Sequence, residues 1–341
     1  MKGNQIILDH LDGREAAALM VDGKLHDILI DSDQPRVGTI YRAVADRPMK
    51  GQGGLFLTTP DGTAFLRQIK GIAPGDRLLV QVTGYAEDGK ALPVTPKVLF
   101  KSRYAIVTPD APGLNISRKI RDDDLRDVLL GIAHEVMGDT PEMGLILRSS
   151  CEDAEAGEIA EDIMAMFDLA QAVMADHDGD AEVLSEGDGP HGQAWREWVE
   201  PADIVTEAGG FEHHGVLDQL EEAQDARVNL GGEAFMFVEP TRALVAVDVN
   251  TGGDTSPAAG LKANLAAARD LPRQLRLRGL GGQITLDLAP MPKRDRRTFE
   301  QTLRAALKTD SSETVMAGWT PLGHFELQRK RDRLPLKDQL K

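Results

Sequence analysis

An α+β chain of several domains is what this sequence predicts, and three observations predict it. Short apolar runs punctuated by Asp-Gly turns fill the first hundred residues, as in small antiparallel sheets. A strand, a helix and a second strand occupy Ala243 to Pro290, the pattern of a crossover between parallel neighbours. Between these two regions, from about Asp176 to Gly232, the chain turns acidic and glycine-rich. At 341 residues there is room for about two to four small domains with real cores.

Residues 1 to about 35 hold two apolar segments joined by Asp22-Gly23, with Asp12-Gly13 before them. Asp-Gly between strand-like segments is a strong hairpin signal, so a small antiparallel sheet is expected. From Arg36 to about Phe100 come VGTIYRAV, GGLFLTT, TAFLRQI, DRLLVQVTGY and KALPVTPKVLF, separated by turn residues that include Asp61-Gly62 and Asp88-Gly89. Five short strands in so few residues suggest an oligonucleotide-binding barrel, in which face aromatics stack on bases and nearby cations hold the backbone. A third segment runs from APGLNISRKI (Ala111 to Ile120) through a helix opening on three aspartates to the strand GLILRSS, and a further helix from about Glu152. Arg148 and Ser149 sit where that strand hands over to a helix, and backbone N–H groups with a guanidinium there could cradle a phosphate. An ordinary surface arginine is the competing reading. HDGDAEVLSEGDGPHG (177–192) reads as a linker, and Trp195 and Trp198 read as packing residues.

In ALVAVDVNTGGD (Ala243 to Asp254) a buried strand ends in polar residues. Side chains alternate faces along a strand, so Asp248 and Asn250 point one way and Val247 and Val249 the other. A helix with Leu261 and Leu265 on one side follows, then the loop LRLRGLGG, then the strand QITLDL (Gln283 to Leu288) carrying Asp287. Pro272 should end or kink that helix. If the two strands are parallel neighbours, Asp248 and Asp287 meet at one sheet edge, and two convergent carboxylates make a hard oxygen site suited to Mg²⁺. Two unrelated solvent-exposed strand-end acids remain the alternative on geometry alone. Beyond lies PKRDRR (Pro292 to Arg297), opening a helix whose Phe299, Leu303 and Leu307 form an inner face. Lys293, Arg294, Arg296 and Arg297 cluster in its first turns and could follow a phosphate chain; Arg329 and Arg331 are the other candidates for substrate contact.

This stretch resembles the catalytic core of the ribonuclease E and ribonuclease G family. The resemblance is carried by Asp248, by Asn250 two residues on, by Asp287, and by the intervening QLRLRGLGG (Gln274 to Gly282). GWTPLGHFELQRKR (Gly318 to Arg331) is similar to the family's ending, and DQLEEAQDARVNLGG, ending at Gly232, to its segment before the catalytic strand. The resemblance implies an α+β multidomain fold. Its parts would be an S1/OB-fold β-barrel at 36–100, a 5′-sensor α/β region at 101–180, an acidic linker and reduced ribonuclease-H-like remnant at 181–232, and a DNase-I-like α/β catalytic domain at 233–341. Residues 1–35 would be the N-terminal β segment of the ribonuclease-H-like subdomain.

By the same resemblance Asp248 and Asp287 hold Mg²⁺, and Asn250 orients Asp248 or the attacked phosphate. Phe56, Phe65 and Lys90 match the RNA contacts of the S1 domain, although either phenylalanine could equally be barrel core. Gly113, Arg148 and Ser149 match the pocket that senses a 5′-monophosphate end, with serine where the family has threonine. The implied activity is an endoribonuclease cutting single-stranded, preferably A/U-rich RNA, faster when its 5′ end carries a monophosphate, and leaving a 5′-phosphate and a 3′-hydroxyl. The role would be RNA processing or decay; whether ribosomal RNA precursors are among the substrates stays open. A non-catalytic RNA-binding scaffold that kept the fold is the main alternative, and a DNA nuclease using the same pair of acids a second.

Two features depart from the family pattern. The region near 180 to 210 is shorter than the usual insertion, and the sequence stops soon after RLPL (Arg333 to Leu336), before the zinc-binding CPxC element that links two subunits. No zinc is therefore expected, and any homodimer would form without a zinc link.

Charge is unevenly placed. The net charge is −16, yet Lys262 to Lys341 holds 17 Lys and Arg against 9 Asp and Glu, a balance of +8 that leaves −24 for the rest. A basic surface beside the acids fits a protein that accepts a polyanion along one track. One cysteine, Cys151, excludes an internal disulfide framework and a cysteine-rich zinc site. Neither a signal peptide nor a spanning segment is apparent, so a cytoplasmic protein with no membrane partner is expected.

Overall fold

A computed structural model of the chain describes residues 3–49, 53–67, 71–86, 89–138, 143–256 and 258–340. The chain forms two compact units, residues 1–30 with 202–341, and residues 31–201. The first unit opens with β1 (Asn4–Leu11), β2 (Arg14–Val21) and β3 (Lys24–Ile30), an antiparallel meander. At both turns the aspartate has φ 50° and the glycine φ 77°. Positive φ at both central residues gives a turn whose twist matches that of the strands, which is why Asp-Gly marks these corners.

In the second unit β4 (Ile40–Met49), β5 (Gly54–Thr59), β6 (Gly62–Leu66), β7 (Arg77–Val82) and β8 (Leu92–Thr95) close into a five-stranded barrel, β4 pairing with both β5 and β7. Leu55, Leu57, Ala64, Leu66, Val80 and Val82 fill its interior. Gln68 and Ile69 of the third expected strand, and Asp88 of the expected Asp88-Gly89 turn, lie outside the described residues. The chain then forms β9 (Phe100–Lys101), β10 (Ala105–Thr108), β11 (Leu114–Ile116), α1 (Asp123–Met137), β12 (Gly144–Leu147) and α2 (Ala156–Ala175). Asp122 caps α1 by accepting the Leu125 N–H at 3.1 Å, and Asp123 and Asp124 follow in the first turn, where the helix dipole favours acids. Cys151 lies buried in this core, and burial pushes its thiol up to about 11, which disfavours the reactive thiolate.

The expected linker at 177–192 is structured instead. Within it β13 (Glu182–Ser185) pairs antiparallel with β4, and α3 (Pro190–Glu197) begins at its end. Arg42 of β4, 4 % exposed, binds the carboxylates of Asp176 and Glu182 and the Asp180 carbonyl at 2.8 Å. The acidic run therefore neutralises a buried arginine from a distant strand. Trp195, expected to pack, is 53 % exposed with the Arg103 guanidinium 3.9 Å from its ring centroid.

Back in the first unit, β14 (Asp203–Val205) pairs parallel with β1, and α4 (Gly210–His213) and α5 (Val216–Gln224) supply Phe211, Val216 and Leu220 to the core beneath that sheet. There follow β15 (Arg227–Gly231), β16 (Ala234–Pro240), β17 (Val245–Asn250), α6 (Ala259–Leu277), β18 (Gly282–Asp287), α7 (Arg296–Lys308), β19 (Thr314–Trp319), β20 (Phe325–Arg329) and α8 (Leu336–Gln339). They build a six-stranded sheet in the order β15-β16-β17-β18-β20-β19, with β17 and β18 parallel at its centre. One face, carrying Val245, Val247, Val249, Ile284 and Leu286, packs on Leu271, Leu275, Phe299 and Leu303 of α6 and α7.

Two local expectations are corrected here. Pro272 does not end α6, which runs from Ala259 to Leu277 through it. One lost backbone bond is outweighed by burial of Leu271, Pro272 and Leu275. The LRLR segment is no loop; Leu275 to Leu277 form the last turn of α6. The glycines after it are set by tertiary contact: at Gly279, φ +62°, a Cβ would run into the Leu334 carbonyl, and at Gly282, φ +92°, into the Arg331 guanidinium. Among the described residues no helix is long and apolar enough to cross a membrane.

Candidate active site

The parallel pairing of β17 and β18 places Val245 opposite Ile284, Val247 opposite Leu286 and Asp248 opposite Asp287. Neighbouring strands lie about 4.8 Å apart, so two carboxylates in register leave the sheet side by side on one face. The face is the one turned away from α6 and α7: along β17 the valines are buried, Asp248 is exposed and Asn250 half-buried. Asn250 donates from Nδ2 to Asp248 Oδ2 at 3.0 Å, which fixes the carboxylate's rotation. His324, in the turn before β20, brings Nε2 to 3.9 Å from Asp287 Oδ1. Asp248, Asn250 and Asp287 are thus brought together, at the C-terminal ends of two central strands rather than at a sheet edge.

The loops that flank the acids are held from beneath. Asn264, on α6 and fully buried, donates from Nδ2 to the Ala289 carbonyl at 2.8 Å and accepts the Ala289 N–H through Oδ1 at 3.0 Å. This two-pronged clamp fixes the chain two residues beyond Asp287. Gly260 of the same helix lies so close to the Pro290 carbonyl that a Cβ there would overlap it.

The basic side chains divide. Lys293, Arg294 and Arg297 are exposed at the start of the α7 region, six to ten residues beyond Asp287, while Arg296 lays its guanidinium 4.0 Å from the centroid of the Trp319 ring. Arg331 is exposed, with its guanidinium over Gly282. Arg329, expected at the substrate, is 2 % exposed and donates to Asp310 at 2.5 Å and to the Thr314 hydroxyl at 2.8 Å. Strand alternation explains the correction: Phe325, Leu327 and Arg329 share the helix-packed face of β20. Asp310, whose side chain is 0 % exposed, also binds Arg276; Arg276 in turn lies 3.4 Å from Asp27, which Arg333 holds at 2.5 Å. Arg276, Arg329 and Arg333 thus build a buried ion network that ties β3, α6 and β20 together.

In the other unit, Phe56 and Phe65 face each other across β5 and β6, ring centroids 5.3 Å apart. Both are half-buried while Leu55, Leu57, Ala64 and Leu66 take the interior, so the rings stand on the outer barrel face. Arg47 lies 5.6 Å from the Phe56 centroid, and Lys90 is exposed just before β8, the parallel neighbour of β6. Gly113 has φ +125° and its carbonyl accepts the Leu145 N–H at 2.9 Å. Ser149 opens a short 3-10 turn (Ser149–Asp153). The Arg148 guanidinium is already engaged, by Glu197 at 3.0 Å and by the Ser102 and Arg196 carbonyls. Burial pushes the Glu197 carboxyl up, but Lys101, Arg148 and Arg196 together bring it down to about 2. An arginine so neutralised is not the free phosphate cradle that the sequence suggested.

The family model described as Ribonuclease E/G family matches residues 100–201 and 199–332. The chain belongs to the ribonuclease E/G family. It is 27% identical over 375 residues to Ribonuclease E of Synechocystis sp., a match covering 93% of this chain and 55% of that protein. With Ribonuclease E of Nostoc sp. the identity is 25% over 385 residues, covering 96% and 56%. With Ribonuclease G of Escherichia coli strain K12 it is 25% over 398 residues, covering 96% and 80%. The chain therefore spans a little over half the length of these ribonuclease E relatives. Within this ribonuclease E/G chain the residues that sequence reasoning missed are Asn264, His324 and Asp310, together with Phe235 and Phe237. A buried polar residue among the alanines of α6, and aromatics two apart beside the strand carrying Asp248, were the available signals.

The donor set fits Mg²⁺. Two carboxylates with an amide beside them, open to water and to a phosphate, are what this ion takes from a protein. Among the described residues no cluster of three or more His, Cys, Asp and Glu that could hold a metal ion forms.

Proposed function

We propose that this chain is a Mg²⁺-dependent endoribonuclease that hydrolyses single-stranded RNA, leaving 5′-phosphate and 3′-hydroxyl ends. The observation that carries the reading is the in-register pair Asp248 and Asp287 on the open sheet face of a ribonuclease E/G chain. On this reading residues 233–341 are a DNase-I-like catalytic domain and the barrel at 36–100 an S1-type RNA-binding domain.

Asp248 and Asp287 would hold the ion, and the ion supplies charge neutralisation at the scissile phosphate and a more acidic water. The remaining work falls to the chain's own groups. Asn250 locks the Asp248 rotamer, and Asn264 fixes the backbone beyond Asp287, so the two acids are positioned before any substrate arrives. Lys293, Arg294 and Arg297 attract the phosphate chain toward the cut. Phe56 and Phe65 offer bases a stacking surface, and Lys90 a cation beside it.

The test is cleavage of a fluorescent A/U-rich single-stranded RNA with Mg²⁺ and with EDTA, for the wild type beside Asp248→Asn and Asp287→Asn. Cutting by the wild type that needs Mg²⁺ and vanishes in both variants, with RNA binding kept, supports the proposal. A wild type that binds this RNA and never cuts it makes the chain an RNA-binding scaffold.

A further inference from the structure

We infer that the face bearing the two acids also carries a nucleobase-stacking subsite built from Phe237 and Phe235 with Arg227, an inference that rests on the ribonuclease reading above. Strand registers place Arg227 opposite Phe237, Phe237 opposite Asp248 and Asp248 opposite Asp287. A cation, an aromatic ring and two acids therefore form one row across four strands, on one face. Phe235 stands beside it, opposite Asn250. The two rings meet edge to face with centroids 5.5 Å apart, and the Arg227 guanidinium lies 4.4 Å from the Phe235 centroid.

These rings are not core residues. On β16 the interior is taken by Met236 and Val238, 0 % and 1 % exposed, whereas Phe235 and Phe237 are half-buried on the opposite face. A nucleobase is the occupant whose chemistry matches all the neighbours. Every base presents a π face to a ring, and the phosphates on either side of it match Arg227 at one end of the row and an ion held by the acids at the other. Phe237 stands one strand spacing, about 4.8 Å, from Asp248, so the base it would stack belongs to a nucleotide next to the scissile phosphate. Two rings and a guanidinium fall far short of the roughly 800 Å² per partner that a stable protein interface needs.

The experiment uses the full chain and single-stranded RNAs in which one nucleotide at a time is abasic. The wild type should lose about tenfold in kcat/KM when the missing base is the stacked one. Phe237→Leu should lose a similar factor on intact RNA and become indifferent to that abasic site, while Phe237→Trp restores both rate and sensitivity. An unchanged urea midpoint for Phe237→Leu shows that its fold is kept. A structural role would instead lower the rate on every RNA equally and leave the abasic profile intact, which overturns the proposal. A second readout needs no cutting: 2-aminopurine placed at successive positions is followed by fluorescence in EDTA with the Asp248→Asn variant. Quenching at one position that Phe237→Leu abolishes supports the subsite, whether or not the wild type cuts. RNA that binds with no such quenching anywhere overturns the subsite and leaves the ribonuclease reading standing. Failure to bind RNA at all overturns both.

Discussion

Replacing Asn264 by leucine should cost both the stability of the fold and the proposed cutting activity, and both amounts follow from the clamp on Ala289. Asn264 is fully buried and satisfies both backbone groups of Ala289, which is itself 5 % exposed. Leucine fills much of the same space but leaves that N–H and that carbonyl without partners, at about 1–3 kcal/mol for each buried group. A loss of roughly 2–6 kcal/mol is expected, and at about 2–4 °C per kcal/mol for a unit of this size the melting temperature should fall by about 4–24 °C. Asp287 lies two residues before the clamped position, and a misplacement of about 1 Å at a catalytic group can cost on the order of a hundredfold in rate. The rate should therefore be measured well below the melting temperature, where the variant is folded, alongside urea denaturation followed by circular dichroism. Asn264→Asp keeps the acceptor for the Ala289 N–H and loses the donor, so it should fall between leucine and the wild type. Stability within 1 kcal/mol of the wild type, or a destabilised variant that cuts at full rate, would refute the view that this clamp positions Asp287.

Three further outcomes are expected. Asp310→Ala leaves Arg276 and Arg329 buried without their shared carboxylate and should cost about 3–5 kcal/mol in urea denaturation; a smaller effect than 1 kcal/mol would mean that the network relaxes or hydrates. Acid should destabilise the fold through Glu197 and Asp270. For Asp270, too, burial pushes the carboxyl up, but Arg273, Gln274 and Lys24 bring it down to about 2, against an ordinary 3.8. Both folded pKa values lie below the unfolded ones, so this stability is complete above pH 4.5 and lost as the pH falls toward 2, about 3 kcal/mol for Glu197; a denaturation midpoint unchanged from pH 5 to pH 2.5 would contradict it. Because Arg148 is engaged by Glu197, an oligonucleotide bearing a 5′-monophosphate should be cut at nearly the same rate as its 5′-hydroxyl counterpart, and a strong preference for the monophosphate would show that Arg148 leaves Glu197 to meet it.

Much of the molecule was legible because the signals were local. Asp-Gly turns specify their own φ values, so a small antiparallel sheet could be read from Asp12-Gly13 and Asp22-Gly23, although it has three strands where two apolar segments were expected. Alternation along β17 and β18 put the valines, Ile284 and Leu286 on one face, and Asp248, Asn250 and Asp287 on the other. The acidic run at 177–192 misled, because acids that pair with a buried arginine look the same in sequence as acids that face water. Arg329 misled for a related reason: in RKRDR nothing marks which cation has the parity of the packed face.

What the sequence by itself determined is the chemistry and the kind of each element: two strands ending in acids, a crossover helix between them, a barrel of five strands, and the family they belong to. These depend on periods of two and 3.6 and on turn residues, which act over a few positions. Only the tertiary structure decided which groups meet. The register of β17 on β18 sets Asp248 beside Asp287, the approach of α6 to Ala289 makes Asn264 a clamp, and the packing of β3, α6 and β20 turns Arg276, Arg329 and Arg333 inward around Asp27 and Asp310. Such pairings join residues from 19 to some 300 positions apart, and no local pattern encodes them; they are fixed by burial of the apolar faces, which chooses one register and leaves each polar group to find its partner there.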